Sequence, residues 1–170
     1  MSKPRLYLFI GYPGAGKTTV ARIIAETTGA THLWADEERH TMFGQATHAQ
    51  AESEQLYEHL NTRAGELLAA GDNVVFDTNF NFYADRQKLR DIAARYGAET
   101  VVLWLITPSE IAKERAVHSG MTRNGYAITM SEAEFKAIVS KLEPPRKDEK
   151  IIKIDGANLD RKELMRLLGL

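Results

Sequence analysis

The sequence predicts an α/β fold, a three-layer sandwich with a mostly parallel sheet of about five strands, helices on both faces and a helical lid. Three observations carry this. Short β-favouring apolar runs, LYLFI at 6–10, VVF at 74–76 and TVVLWLI at 100–106, alternate with helical stretches of ten residues or more. Connections of that length join parallel neighbours by right-handed crossovers. The run at 100–106 shows no polar alternation, as a strand covered on both faces should. Glycine or proline closes the helical stretches and opens the turns, at Gly29, Gly71, Gly97 and Pro108.

The elements follow in order. Leu6–Ile10 reads as the first strand, followed by a glycine-rich loop and a helix from about Lys17 to Thr27, which Gly29 ends. Thr31–Trp34 reads as a short second strand. Residues 47–70 repeat apolar positions at three and four (Leu56, Leu60, Ala64, Leu67, Leu68), a helical spacing, and Gly71 stops it. Val74–Phe76 is a compact strand ending at Asp77. Tyr83–Tyr96 is helical, with Leu89, Ile92, Ala93 and Tyr96 on one face. Thr100–Ile106 is the buried strand, and Pro108–Ser109 turns into a helix over about 109–117. HSGMTRNGYAITM has weak periodicity and suits either a lid or a surface connection. Ser131–Leu142 opens on a capping-box spacing, Ser131 to Glu134. EPPRKDEK reads as a polar surface turn, Ile151–Ile154 as the last strand and Leu159–Leu168 as the closing helix.

A length of 170 residues supports one substantial core, so 1–170 is expected to form a single domain with a lid at 109–130. The 22 Lys and Arg balance 23 Asp and Glu, which argues against avid nonspecific binding to nucleic acid or membrane. With no Cys, disulfides and thiol chemistry are excluded. MSKPR runs straight into the first strand and no apolar run is long enough to span a bilayer. The expectation is a soluble, cytoplasmic protein.

GYPGAGKT at 11–18 is the most informative segment. It matches GxxxxGK[ST], the phosphate-binding P-loop, and it has the required context of strand before and helix after. Gly11, Gly14 and Gly16 permit a tight loop and leave room for a polyphosphate. Lys17 reaches the β and γ phosphates, Thr18 ligates Mg2+, and the helix N-terminus faces the anion. Pro13, Ala15 and Thr19 complete the predicted nucleotide-contact set.

A P-loop does not by itself separate kinases from switches or motors. No NKxD base-recognition motif is present, and the length suits a small kinase. Asp36 ends the second strand, at the sheet edge that also carries the P-loop. It reads either as a base for an acceptor hydroxyl or as an N-cap carboxylate. Arg39 follows three residues later, to hold the acceptor or to pair with Glu37 or Glu38. Asp77 ends another strand, where an acid contacts the Mg2+ shell or fixes an active-site arginine. Its alternative is a turn-binding role, with Asn79 doing the same. Phe80, Phe82 and Tyr83 line a pocket or anchor the next helix. Arg115 and Arg123 bracket the lid and are the candidates to stabilise charge on the transferring group. Arg86, Arg90 and Arg95 read as solvent-facing. His40, His48, His59 and His118 lack metal spacing. Trp34 lies near the crevice or fills the sheet edge, and Trp104 reads as core.

GYPGAGKTT, WADEER and VVFDTNF together resemble the P-loop kinases related to polynucleotide 5'-hydroxyl kinases, and the AAA-like predicted kinases that include zeta-toxin-like proteins. The resemblance implies the P-loop NTPase three-layer fold, ATP and Mg2+. It implies Asp36 as general base, Arg39 on an acceptor 3'-phosphate or its analogue, and Asp77 supporting that arginine. LITPSEIAKER resembles the segment leading to the lid, which puts Arg115 or Arg123 on the donor phosphates. LEPPRKDEKIIKIDG resembles a segment flanking adenine. The expected activity is transfer of the γ-phosphoryl group of ATP to a hydroxyl. The acceptor is a small molecule or nucleotide ahead of a polynucleotide 5' end. The rival readings are a nucleotide-hydrolysing switch and a binding protein without catalysis.

Overall fold

The structure is a computed structural model that describes residues 2–118 and 130–170. Strand β1 (Arg5–Ile10) leads through the glycine loop into α1 (Lys17–Thr28). After it come β2 (Thr31–Trp34), α2 (Ala35–Phe43), α3 (Gln50–Ala69), β3 (Val74–Asp77) and α4 (Tyr83–Arg95). Then β4 (Glu99–Leu105), α5 (Ser109–Lys113), a π-helical turn (Glu114–His118), α6 (Glu132–Lys141), β5 (Ile151–Ile154) and α7 (Arg161–Leu168) complete the chain. Among the described residues the five strands form one sheet in the order β2-β3-β1-β4-β5, and every pairing is parallel. The chain winds from β1 to one edge, returns, and crosses to the other side. The order therefore reverses beside β1, and a crevice opens at its carboxyl end.

β1 shows why the sheet needs two helical layers. Leu6, Leu8 and Ile10 face the core shared with Leu56, Leu60 and Leu68 of α3 and Leu89 of α4. Tyr7 and Phe9 face the opposite core, with Val20 and Ile24 of α1 and Leu164 and Leu168 of α7. Side chains alternate along a strand, so an unbroken apolar run must be covered twice. The predicted strands and their glycine stops hold. Gly29 ends α1 in the left-handed region at φ 70°, where a side chain would be strained. The Ser131 capping box forms in both directions, at 3.1 Å and 3.0 Å.

Four readings change. Helix α2 had no apolar periodicity to announce it, because its buried positions are Ala35 and Arg39. Tyr96 and Ile106 lie exposed, past the last residues of α4 and β4. Arg86 is not solvent-facing: it is 0% exposed. Its guanidinium donates to both Glu149 oxygens at 2.7 Å and 3.1 Å, and to the carbonyls of Phe80 (2.7 Å) and Pro144 (3.3 Å). The polar segment 143–150 is therefore not a plain surface turn, since Glu149 ties it into the interior. Arg90 pairs with Asp148 nearer the surface, and Arg95 is exposed as expected. Of the predicted lid, α5 and the π-helical turn are described. Residues 119–129, Arg123 among them, lie outside the described residues.

Candidate active site

The glycine loop sits where β1 ends. Gly14 (φ 84°) and Gly16 (φ 107°) take left-handed conformations, and a Cβ on Gly14 would lie 2.2 Å from the Ala112 carbonyl oxygen. No side chain caps the N-terminus of α1, whose N-cap is Gly16. The first-turn amides thus keep their capacity for an anion, reinforced by the helix dipole. Lys17 is 9% exposed, and its ammonium donates to the carbonyls of Gly11 (3.0 Å) and Tyr12 (2.7 Å). Gly11, Pro13 and Ala15 are buried, Thr18 is half-buried and Thr19 is exposed.

Two other strand ends brace this loop. Thr107, just past β4, donates its hydroxyl to the Ala15 carbonyl at 2.9 Å. Gly156, just past β5, packs so closely that a Cβ would lie 2.1 Å from Ala15 O and 2.2 Å from Thr107 Oγ1. Arg115 ties the Gly156 end to the loop, donating to the carbonyls of Gly156 (2.9 Å) and Gly14 (3.3 Å). Thr107 and Gly156 were not singled out from the sequence. Their only signal was position, each following a strand on the P-loop edge of the sheet.

Across the crevice, β2 and β3 present the carboxylates. Asp36 lies in the first turn of α2, whose N-cap is Trp34, so Asp36 does not act as the N-cap. It remains open to solvent, yet the protein crowded around it raises its carboxyl above the ordinary range. The Asp77 charge pushes the same way, while Arg39, His48 and Lys17 pull it back. Four charged groups from different elements therefore reach Asp36.

Arg39 does not form the surface pair with Glu37 or Glu38. It is 7% exposed, and it donates to Glu52 Oε1 at 2.7 Å and to Ser53 Oγ at 3.2 Å rather than pairing with Glu37, Glu38 or Asp77. Glu52 also accepts from the Thr47 amide and hydroxyl, each at 2.9 Å, and from the His48 amide at 3.3 Å. The Thr47 amide and then Arg39 hold its carboxyl down to about 2. Asp77, 4% exposed, meets His32 Nε2 at 3.0 Å through Oδ2. The β2–β3 register places Trp34 opposite Asp77, and the His32 ring stacks on Trp34 at 6.0 Å. Thr78 shares a 2.7 Å hydrogen bond with the Tyr57 hydroxyl, and Asn79 is exposed. Phe80 belongs to the core, edge-on to Phe76, and Tyr83 packs under Arg146 at 3.7 Å, so both are anchors; Phe82 is exposed. Trp104 is half-buried, with Lys153 over its ring.

No group of three or more His, Cys, Asp or Glu able to cage a metal occurs among the described residues. No described helix is long and apolar enough to cross a membrane.

Comparison with solved structures gives the same architecture over nearly the whole chain. A sugar kinase from Janibacter sp. HTCC2649 superposes with a TM-score of 0.70 at 22% identity, covering 98% of this chain and 95% of that one. The APS kinase of Mycobacterium tuberculosis, solved with AMPPNP and APS, superposes at 0.66 and 17% identity, covering 100% of both. A gluconokinase from Sinorhizobium meliloti 1021 superposes at 0.62 and 23% identity, covering 96% and 87%. At these identities the likeness establishes the P-loop NTPase fold. No curated protein sequence matches. A family model does match, over residues 6–145, from the first strand to the prolines that Arg86 anchors; the chain belongs to the AAA domain family.

Proposed function

We propose that this protein is an ATP-dependent kinase that moves the γ-phosphoryl group of ATP to a hydroxyl of a small molecule. The observation that supports it most directly is Asp36. A carboxylate of raised basicity stands at the carboxyl edge of the sheet, electrostatically coupled to the P-loop lysine. The fold shared with a sugar kinase, an APS kinase and a gluconokinase supports the same class.

On this reading the amides of Gly14 to Thr19 and Lys17 hold the donor phosphates. Thr18 and Asp77 would hold Mg2+, which would supply positive charge to the phosphate oxygens. Asp36 accepts the proton of the acceptor hydroxyl as its oxygen approaches phosphorus. Arg115 already bridges two loop carbonyls beside the P-loop and is the described arginine nearest that role, with Arg123 as its partner from the lid. The 170 residues act as one catalytic domain. The kinship with polynucleotide 5'-hydroxyl kinases and zeta-toxin-like kinases rests on WADEER and VVFDTNF.

The test is label transfer from γ-labelled ATP, with Mg2+, to a panel of nucleosides, sugars, nucleotide sugars and 5'-hydroxyl DNA and RNA ends. Transfer to one class establishes the kinase. Asp36→Asn should lower kcat by about 10²–10⁴-fold, the usual worth of a positioned base, and leave ATP affinity unchanged. A variant that still transfers at near wild-type rate removes Asp36 from the mechanism.

A further inference from the structure

The acceptor half of the crevice has an unusual charge pattern. Among the described residues its buried arginine is Arg39, which is already paired. Glu52 Oε1 lies 2.7 Å from its guanidinium, Ser53 Oγ takes a second bond at 3.2 Å, and 7% of the residue remains exposed. Glu52 is not a loose partner that an incoming anion displaces. Three further donors fix it: the Thr47 amide, the Thr47 hydroxyl and the His48 amide. His48 itself takes a left-handed backbone (φ 56°), uncommon for a side-chain-bearing residue, at the turn that delivers these amides to Glu52. Beside the Arg39–Glu52 pair this side carries the Asp36 and Asp77 carboxylates, with His48 and the P-loop Lys17 acting on Asp36 and His32 3.0 Å from Asp77. Hydroxyl groups line the same region. Tyr57 and Thr78 share a 2.7 Å hydrogen bond, Tyr57 lies within the electrostatic reach of both Asp36 and Arg39, and Ser53 and Thr47 flank the ion pair.

A phosphate or sulfate next to the reacting hydroxyl would meet the Asp36 and Asp77 carboxylates and an arginine already paired with Glu52, and like charges repel. A neutral polyol would meet carboxylates and hydroxyls that accept and donate in kind. We propose that the acceptor bears no anionic group beside the hydroxyl it offers: it is a neutral polyhydroxylated molecule, and Glu52 is the specificity residue that cancels Arg39 and excludes phosphorylated acceptors. This rests on the kinase reading and narrows it. It also parts from the resemblance, in which this arginine binds an acceptor 3'-phosphate.

The experiment uses the full chain and has two arms. In the first, the P-loop is filled with Mg2+ and AMPPNP, and thymidine 3'-monophosphate is titrated calorimetrically into the wild type, Glu52→Gln and Arg39→Gln/Glu52→Gln. The wild type should give no saturable binding at millimolar concentration. Glu52→Gln, with Arg39 uncancelled, should bind at least about tenfold more tightly, a difference of about 1.4 kcal/mol. The double variant, which removes both charges together, should lose that gain, and thermal melts confirm that each variant is folded. Saturable binding by the wild type, or no gain in a folded Glu52→Gln, overturns the proposal. In the second arm, label transfer compares matched acceptors, each polyol or nucleoside against its monophosphate. Preference for the neutral member supports the proposal, and preference for the phosphorylated member overturns it while leaving the kinase intact. No label in any acceptor counts against the kinase reading, and the calorimetric arm still decides whether Glu52 excludes anions.

Discussion

Arg86→Ala should be among the most damaging single changes in this chain, although the site lies away from the phosphates. The substitution removes two bonds to Glu149 and those to the Phe80 and Pro144 carbonyls. It leaves a carboxylate at 0% side-chain exposure, with the Arg146 amide at 2.8 Å as its described donor. Breaking one half of a buried pair costs about 3–5 kcal/mol, because the abandoned charge has no solvent to return to. Set against a typical total of about 5–15 kcal/mol, that is a large share. With a urea m-value of about 2 kcal/mol per molar, the unfolding midpoint should fall by roughly 2 M. Circular dichroism across a urea series reads it directly. Replacing both partners, Arg86→Met with Glu149→Leu, removes the charges together and should recover most of the loss. A midpoint shift below about 0.5 M for Arg86→Ala, on the same m-value scale, would refute the argument. So would a double variant no better than the single.

Two further predictions follow from other parts of the molecule. Gly156→Ala places a methyl 2.1 Å from Ala15 O, so the P-loop or its brace must move. Overpacking of this kind costs about 1–3 kcal/mol, and ATP affinity by calorimetry should fall about tenfold; unchanged affinity would mean that the brace does not shape the loop. Glu52, held down to about 2 against an ordinary 4.5, stabilises the fold fully above pH 4.5 and loses that contribution as pH falls towards 2. Denaturation measured between pH 2 and 5 should therefore show a steeper decline in the wild type than in Glu52→Gln, and parallel curves would argue against the link.

The strands and most helix stops were legible because each has a local cause. Apolar runs must be buried, and glycine or a capping box closes or opens a helix within a few residues. The P-loop was legible for the same reason, since its chemistry lies in eight consecutive positions. What escaped was long-range charge pairing. Arg86 finds Glu149 63 residues away, and Arg39 finds Glu52 13 residues away across a turn. Nothing local marks a cation that will be buried with a remote partner, so Arg86 read as surface and α2, whose inner face includes Arg39, went unassigned. His32 was hidden likewise: its meeting with Asp77 exists only once β2 and β3 pair in register.

The bracing of the P-loop by Thr107, Gly156 and Arg115 divides the sheet into two territories. The P-loop side is assembled from the ends of β1, β4 and β5, and the side bearing Asp36, Arg39 and Asp77 from β2, β3, α2 and α3. On the proposed kinase reading, changes in α2 and α3 would alter the side bearing Asp36 and Arg39 while the brace of Thr107, Gly156 and Arg115 on the P-loop stays in place. The constraint runs the opposite way at the C-terminal end: a chain cut before Gly156 would keep every residue of the P-loop motif and lose one of the walls that shape it.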